Sequence, residues 1–156
     1  MTFDDGMRDT THDAECWRYH DGCALVQSVE LPIRTVSEKN AREHWATKAR
    51  RTAKQRIDTL AGLLATGWPR PSLPLVITLT RIGPRKLDTD NLERALSGVR
   101  DGIADKPPRP TSKPGRKPAS RPSWVKVDDG DARIEWLYAQ IVGPPAAVLI
   151  EIRGPK

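Results

Sequence analysis

The chain of 156 residues has little cysteine, few aromatic residues and no long apolar run. It contains two cysteines, and phenylalanine, tyrosine and tryptophan together make up 5% of the residues. No apolar run approaches the roughly 20 residues that a membrane-spanning helix needs. The first fifteen residues are mostly polar and acidic, without the basic and apolar regions of a secretory signal. These absences argue against a membrane span and against secretion, and we expect one cytoplasmic domain.

Cys16 and Cys23 stand close to His12 and His20, which raises the question of a zinc site. The two cysteines are too far apart for a C-x₂₋₄-C zinc knuckle, and no second cysteine pair follows. A disulfide is not expected in a cytosolic chain. We interpret both residues as reduced thiols, one of them in a strand.

The formal net charge of +6 is concentrated rather than spread. Residues 106–122 contain six basic residues and no acidic one, so the rest of the chain is balanced. A second basic run lies between Lys48 and Arg56, on a stretch that we predict to be helical. Clustered cations favour a polyanionic partner, because neutralising phosphates releases counterions. By itself this pattern also fits a solvated helix face.

Four segments have the apolar and β-branched composition of strands. They are residues 23–33, 73–82, 132–141 and 146–153. After the first of them, Ser37 is a candidate N-cap for a helix that begins near Glu38 and is stopped by Gly67 and Pro69. Apolar residues of this helix recur at helical spacing and predict one buried stripe: Ala41, Trp45, Ala49, Ala53, Ile57, Leu60 and Leu64.

A second amphipathic helix is predicted to begin near Asp90 and to bury Leu92, Ala95, Leu96, Val99 and Ile103. Residues 106–123, rich in proline, lysine and arginine, are expected to form a flexible loop. The order β-α-β-α-β-β predicts a single compact α/β (α+β) domain over residues 21–156, with a mixed sheet of about four strands and two main helices. Residues 1–20 are expected to be a flexible polar tail.

The motif Asp88-Thr89-Asp90-Asn91 lies where the second predicted strand gives way to the second helix. With one residue between them, the two carboxylates can face one point, and hard divalent cations take oxygen ligands of this kind. The alternative is structural, because Asp90 at a helix N-terminus is favoured by about 0.3–1 kcal/mol. Arg94 follows one helical turn after Asp90, where it could form a helix salt bridge or contact a phosphate held by the metal.

A second acidic cluster, Asp128-Asp129-Gly130-Asp131, precedes the third main strand. Neither cluster has the D-x-D-x-[DN]-G pattern of an EF-hand, and a solvated turn is the structural alternative. One carboxylate of this cluster could complete a set of three with Asp88 and Asp90. Three carboxylates around Mg²⁺ with a cation nearby suit phosphodiester hydrolysis, because the metal lowers the pKa of the attacking water and the cation stabilises transition-state charge.

Together these motifs resemble the RusA family of Holliday junction resolvases. The resemblance covers roughly residues 23–153 and rests on a basic turn, D-x-D-N opening a helix, a later helix aspartate at Asp101 and the pair Asp128-Asp129. It implies a RusA-like fold and a Mg²⁺-dependent endodeoxyribonuclease, with Mn²⁺ as a substitute, that acts as a homodimer. Such an enzyme resolves four-way junctions by paired symmetric phosphodiester hydrolysis in DNA recombination and repair, and the family is common on phage and prophage genomes.

The resemblance also assigns roles to residues of this chain. Asp88, Asp90 and Asp129 would bind the metal, with Asp131 as the alternative to Asp129, and these three ligands with Arg94 are the candidate catalytic residues. Arg94 stands where the family has a lysine, a change that keeps the charge but alters the geometry. The loop of residues 106–123 departs from the family as an insertion. It either adds contacts to the junction arms or is a tolerated surface loop.

Candidate DNA-binding residues lie on the first helix, before the D-x-D-N motif and in the basic loop. They are Arg50, Arg51, Lys54, Arg81, Arg85, Lys86, Lys113, Arg116 and Lys117. Two other functions stay open: a non-catalytic basic DNA-binding protein that uses its acids as caps and turns, or a nuclease of the same chemistry acting on other branched DNA. No membrane partner is expected.

Overall fold

The computed structural model describes residues 23–37, 42–105 and 122–155. Its main strands are β1 (Cys23–Leu31), β2 (Leu75–Gly83), β5 (Ile134–Val142) and β6 (Ala147–Pro155). They form one mixed sheet with the order β1-β6-β2-β5, and the short strands β3 (Ala104–Asp105) and β4 (Val125–Asp128) form a second sheet. The predicted α+β class with a mixed four-stranded sheet is confirmed.

The pairing of the four main strands brings the carboxyl ends of three strands to one side of the sheet. Strand β2 pairs antiparallel with β6 and parallel with β5, and β1 pairs antiparallel with β6. Strands β1, β2 and β5 therefore run in the same direction, and Leu31, Gly83 and Val142 end them at the same side of the sheet. We call this side the carboxyl edge. The segments that follow β1 and β2 consequently lie close together.

Three helices cover the sheet face that carries Leu75, Ile77 and Leu79. They are α1 (Trp45–Ala65), α2 (Thr89–Ala95) and α3 (Ser97–Ile103). A parallel connection between neighbouring strands requires a crossover, and α2 and α3 supply it between β2 and β5. No helix of the described ranges is long and apolar enough to cross a bilayer.

The second predicted helix forms as the two short helices α2 and α3, separated at Leu96. Its predicted buried residues are confirmed, since the following side chains are all at most 5% exposed: Leu92, Ala95, Leu96, Val99 and Ile103. The helix begins at Thr89 with Asp88 as its N-cap, so the cap lies two residues earlier than the predicted start near Asp90.

The prediction for α1 was wrong in two respects. The helix begins at Trp45, and the cap is His44, whose Nδ1 accepts a hydrogen bond from the Ala46 amide at 3.3 Å; Ser37 lies in an irregular segment. Most of the predicted apolar stripe is not buried, since Trp45, Ile57 and Leu64 are 75%, 58% and 56% exposed, although Leu60 packs against the core. Gln55, Thr59 and Leu63 are buried instead.

Glycines of α3 explain why α1 buries a polar face. A Cβ on Gly98 would lie 2.9 Å from the Thr52 carbonyl oxygen, and one on Gly102 would lie 2.6 Å from the Arg56 carbonyl oxygen. The two helix backbones approach this closely only because α3 has no side chains at these positions. The buried polar groups of α1 are satisfied: Gln55 Nε2 donates to Arg34 O at 3.0 Å, and Thr59 Oγ1 donates to the Gln55 carbonyl at 2.7 Å.

Several sequence predictions fall outside the described residues. They concern the N-terminal tail of residues 1–20, the thiol of Cys16 and most of the basic loop, which includes Lys113, Arg116 and Lys117. At the end of that loop, Ser123 and Trp124 are described and buried.

Candidate functional site

Asp88 and Asp90 lie at the start of α2, just beyond the carboxyl edge. Asp88 is the N-cap of this helix, and its Oδ1 accepts a hydrogen bond from the Asn91 amide at 3.0 Å. Asp90 belongs to the first turn, and both aspartates are exposed. The segment before them is fixed to β5, because the side-chain amide of Gln140 donates to Leu87 O at 2.7 Å and accepts from Leu87 N at 2.8 Å.

Arg94 does not pair with Asp90, although one helical turn separates them. Neither side chain has a hydrogen bond or an ion pair with any other residue of the described ranges. The plain helix salt bridge is therefore not formed. Both side chains are exposed, so a negative and a positive group are available to solvent on the same short helix.

The second acidic cluster forms the turn that connects β4 to β5. Asp128 ends β4, and its Oδ1 accepts from the Gly130 amide at 2.7 Å. Asp131 accepts from the backbone amide and the guanidinium of Arg133, with an Nη2–Oδ2 distance of 2.7 Å. Hydrogen bonds from Arg133 lower the pKa of Asp131 from its ordinary value of 3.8 to about 2. Both aspartates thus stabilise the turn itself.

Asp129 makes a different contact, with an arginine of α3. Its Oδ2 lies 3.2 Å from Nε of Arg100, and its backbone carbonyl accepts a hydrogen bond from Trp136 Nε1 at 2.8 Å. Strand β4 pairs with β3, which directly follows α3, and this pairing brings the turn to Arg100. Arg100 also donates to the Tyr138 hydroxyl at 3.0 Å and lies over the ring of Trp136.

Burial and neighbouring charges both shift the pKa values of Arg100 and Tyr138. Burial lowers the pKa of Arg100, but Tyr138, Asp129 and Asp101 outweigh that effect, so its pKa lies above the ordinary value. Burial raises the pKa of Tyr138, with Glu93 and Asp129 adding to the rise and Arg100 opposing it. Arg100 is therefore a permanent cation, and Tyr138 stays a neutral hydroxyl at physiological pH.

Both acidic clusters lie over the same face of β5. Trp136, Tyr138 and Gln140 alternate along that strand, so their side chains share one face. Trp136 holds the Asp129 turn, and Gln140 holds the segment that leads to Asp88. The two anchor points are four strand residues apart, which corresponds to roughly 13 Å at about 3.3 Å per residue.

The predicted metal ligands are thus not assembled into one set. Within the described ranges, no group of three histidine, cysteine, aspartate or glutamate side chains is arranged to hold a metal ion. Asp88 and Asp90 have the oxygen chemistry that Mg²⁺ prefers, and Mg²⁺ sites often use one or two carboxylates with water in the remaining positions. The aspartate pair fits such an ion, whereas Asp129 is held by Arg100.

The candidate DNA-binding cations differ in their surroundings. On α1, Arg50 is exposed, Arg51 pairs with Glu43, and Lys54 pairs with Asp58 at 2.6 Å. After β2, Arg85 and Lys86 are exposed. Arg81, which is also a candidate DNA-binding residue, is buried, with 4% of its surface exposed.

Three residues of this region were missed by sequence reasoning: Arg100, Tyr138 and Gln140. No spacing rule connects Arg100 to Asp129, because β3–β4 pairing creates that contact. The alternation of Trp136, Tyr138 and Gln140 within a strand is visible in the sequence and could have indicated a shared polar face.

Comparison of the chain with protein-family models, with curated proteins and with solved structures found no match.

Proposed function

We propose that this protein is a Mg²⁺-dependent endonuclease of the RusA type, which resolves four-way DNA junctions as a homodimer. The observation that carries the proposal is the exposed pair Asp88 and Asp90 at the carboxyl edge, directly after the exposed cations Arg85 and Lys86. Carboxylates that bind a metal and cations that bind phosphates are the two components of metal-assisted phosphodiester hydrolysis. The resemblance of the acidic motifs to the RusA family supports the same chemistry.

Asp88 and Asp90 would hold the ion, which would supply a water of lowered pKa and neutralise charge on the scissile phosphate. Asp88 is suited to this role because its Oδ1 hydrogen bond to Asn91 fixes the position of the carboxylate. Arg94, one turn further along α2, is an unpaired cation in the described part of the chain and would stabilise charge that develops on the phosphate.

For the third carboxylate we favour Asp129 over Asp131. Both oxygens of Asp131 accept hydrogen bonds from Arg133, and the low pKa of Asp131 reflects that commitment. Asp129 would have to leave Arg100 to approach the aspartate pair. Arg100 would keep its hydrogen bond to the Tyr138 hydroxyl, and Asp101 would remain as a nearby negative charge.

The test is a cleavage assay with an immobile four-way junction and a matched linear duplex, each with Mg²⁺ or with EDTA. We expect paired, symmetric nicks in the junction only, and only with Mg²⁺. Two symmetric cuts require two active sites, so the active species should be a dimer by light scattering. Faster cutting of flaps than of junctions would indicate a nuclease of the same chemistry with another substrate.

Variants connect this activity to the proposed site. Asp90→Asn should abolish cleavage and preserve junction binding, because it removes a metal ligand but adds no steric change. Glu30→Gln, which changes an exposed acid on β1, serves as the matched control and should cut normally. Cleavage by Asp90→Asn at the wild-type rate would contradict the assignment.

The second candidate is a non-catalytic DNA-binding protein. It is favoured by the separation of Asp129 from the aspartate pair and by the absence of a three-ligand group in the described ranges. On this view Asp88 serves as a helix cap and the second cluster as a turn. Junction binding without cleavage, with both Mg²⁺ and Mn²⁺ at several pH values, would support it.

A further inference from the structure

Arg81 is a buried cation without a carboxylate partner. It is 4% exposed, and its Nε donates to Thr35 Oγ1 at 2.8 Å while its Nη1 donates to the Arg85 carbonyl at 2.7 Å. Both acceptors are neutral, and Arg81 forms no ion pair with any residue of the described ranges. Burial of a charged group is unfavourable unless an opposite charge compensates it.

Part of the Arg81 guanidinium has no hydrogen-bond acceptor. Nη2 lacks an acceptor among the described residues, and it is not one of the fully enclosed polar atoms. Gly83 makes room for it, since a Cβ at that position would lie 2.6 Å from Nη2 and 2.7 Å from Cζ. The guanidinium therefore lies over the Gly83 backbone with donors still available. An oxyanion could accept hydrogen bonds from two nitrogens of such a planar group.

The Arg81 side chain lines a pocket of about 450 Å³ at the carboxyl edge. The walls come from residues 34–37 after β1, from residues 81–87 at the end of β2 and beyond, and from Ala146 before β6. All the charged residues among these are basic: Arg34, Arg81, Arg85 and Lys86. Arg34, Arg85 and Lys86 are exposed, so they form a cationic rim around the covered arginine.

Burial is the only cause that shifts the pKa of Arg81, and it lowers that pKa. No nearby acid raises it, in contrast to Arg100 in the other cluster. An anion in the pocket would supply the missing opposite charge. The position of the pocket also matters, because its wall ends at Leu87 and the next residue is Asp88.

We infer that this Arg81 pocket binds a phosphate of the DNA backbone, one that neighbours the phosphodiester presented to Asp88 and Asp90. The identity of the anion rests on the proposed function, whereas the binding of an oxyanion does not. Arg81 would donate hydrogen bonds to two phosphate oxygens, and the positive charges of the rim residues would attract the phosphate. Thr35 would keep the guanidinium plane fixed, as it does through the Nε hydrogen bond.

The first arm of the test is an NMR titration of the full chain in EDTA, with inorganic phosphate and separately with a thymidine dinucleotide as probes. The readouts are the Arg81 Nε–H signal and the Gly83 amide signal. We expect both signals to shift and saturate, with the phosphodiester of the dinucleotide competing for the same site. Absence of a saturable shift with either probe would overturn the inference.

Arg81 joins the segment after β1 to the segment after β2, so a substitution of Arg81 also changes a contact within the fold. Variants of the exposed rim residues test phosphate binding without changing that contact. Arg34→Gln and Lys86→Gln should each weaken phosphate binding by about 2–5-fold, as expected for exposed charges. Arg81→Lys keeps the charge but loses the fork, and should weaken binding by about 10–100-fold. Arg70→Gln removes an exposed cation outside the pocket and should leave the affinity unchanged. Equal losses in Arg70→Gln and the rim variants would reduce the effect to net charge and overturn the inference.

The second arm measures junction affinity in EDTA at several salt concentrations. Each phosphate contact contributes about 0.9 to the slope of log K against log salt. Lys86→Gln removes a charge and should reduce that slope by up to about 0.9. Arg81→Lys, which keeps the charge, and Arg70→Gln, which lies outside the pocket, should leave the slope unchanged. If phosphate binds and the slopes change but no DNA is cut, the pocket stands and the nuclease proposal fails. If DNA is cut but phosphate does not bind, the pocket fails and the nuclease proposal stands.

Discussion

Arg100 Nε lies 3.2 Å from Asp129 Oδ2, and the same guanidinium donates a hydrogen bond to the Tyr138 hydroxyl. One arginine therefore connects α3, the turn after β4 and the central part of β5. The side chains of Arg100 and Asp129 are 29% and 13% exposed, so the pair is partly shielded from solvent. The contact fixes the position of Asp129 in the second acidic cluster.

Removing Arg100 should destabilise the protein. Arg100→Met removes both the ion pair with the shielded Asp129 carboxylate and the hydrogen bond to the Tyr138 hydroxyl, and we expect a loss of about 1–3 kcal/mol in the free energy of unfolding. Urea denaturation at pH 7 measures this change. In a double-mutant cycle, Arg100→Met and Asp129→Asn should be non-additive, because they remove the same contact. Strict additivity would show that the two residues do not stabilise each other.

Adjacent leucines on α1 test which face of the helix is buried. Leu63 is 0% exposed and Leu64 is 56% exposed. Leu63→Ala should lower the free energy of unfolding by about 2–5 kcal/mol, because it leaves a cavity in the core. Leu64→Ala should change it by no more than about 0.5 kcal/mol, as is usual for surface substitutions. Thermal and chemical denaturation of the two variants would reveal the opposite order if the sequence-predicted stripe were the buried one.

The close approach of α1 and α3 can be tested at Gly102. A Cβ there would lie 2.6 Å from the Arg56 carbonyl oxygen, so Gly102→Ala must push the helices apart. We expect a loss of about 1–3 kcal/mol, typical of overpacking, despite the better helix propensity of alanine. Gly143→Ala is the control, since a Cβ at Gly143 meets nothing within 4 Å. Equal melting temperatures for the two variants would argue against tight helix packing.

The pKa of Asp131 predicts a stability change in acid. Its folded value of about 2 lies below its ordinary value of 3.8, so the charged form favours the folded state. That contribution is fully present above about pH 4 and is lost as the pH falls through 2. Carboxyl NMR should give a midpoint near 2 for Asp131. In Arg133→Gln the midpoint should rise toward 3.8, though not all the way, because the backbone amide still donates. An unchanged midpoint would mean that Arg133 is not the cause.

Local sequence patterns were sufficient to predict the main strands and the buried residues of the second helical region. The apolar segment predicted as the second strand and the apolar residues from Leu92 to Ile103 match the observed core, because β2, α2 and α3 face it directly. The same reasoning was wrong for α1. Its most apolar face is exposed, because the glycines of α3 accept a close backbone contact rather than an apolar side-chain contact.

The candidate site, like the fold, could be predicted only in part from the sequence. The two acidic clusters and their chemistry could be recognised from residue types and spacing. Their separation along β5 could not, because it depends on β3–β4 pairing and on the hydrogen bonds that Trp136 and Gln140 donate to distant backbone atoms.

The sequence by itself determined the fold class, the succession of the main strands and helices along the chain, and the position of the aspartate pair at the start of a helix, since these depend on periodicity and on local capping chemistry. Only the tertiary structure decided which face of α1 is buried, that Asp129 is bound to Arg100, and that Arg81 lies covered in a cationic pocket. Each of these follows from contacts between segments that are far apart in the chain, and no local pattern encodes the distance between them.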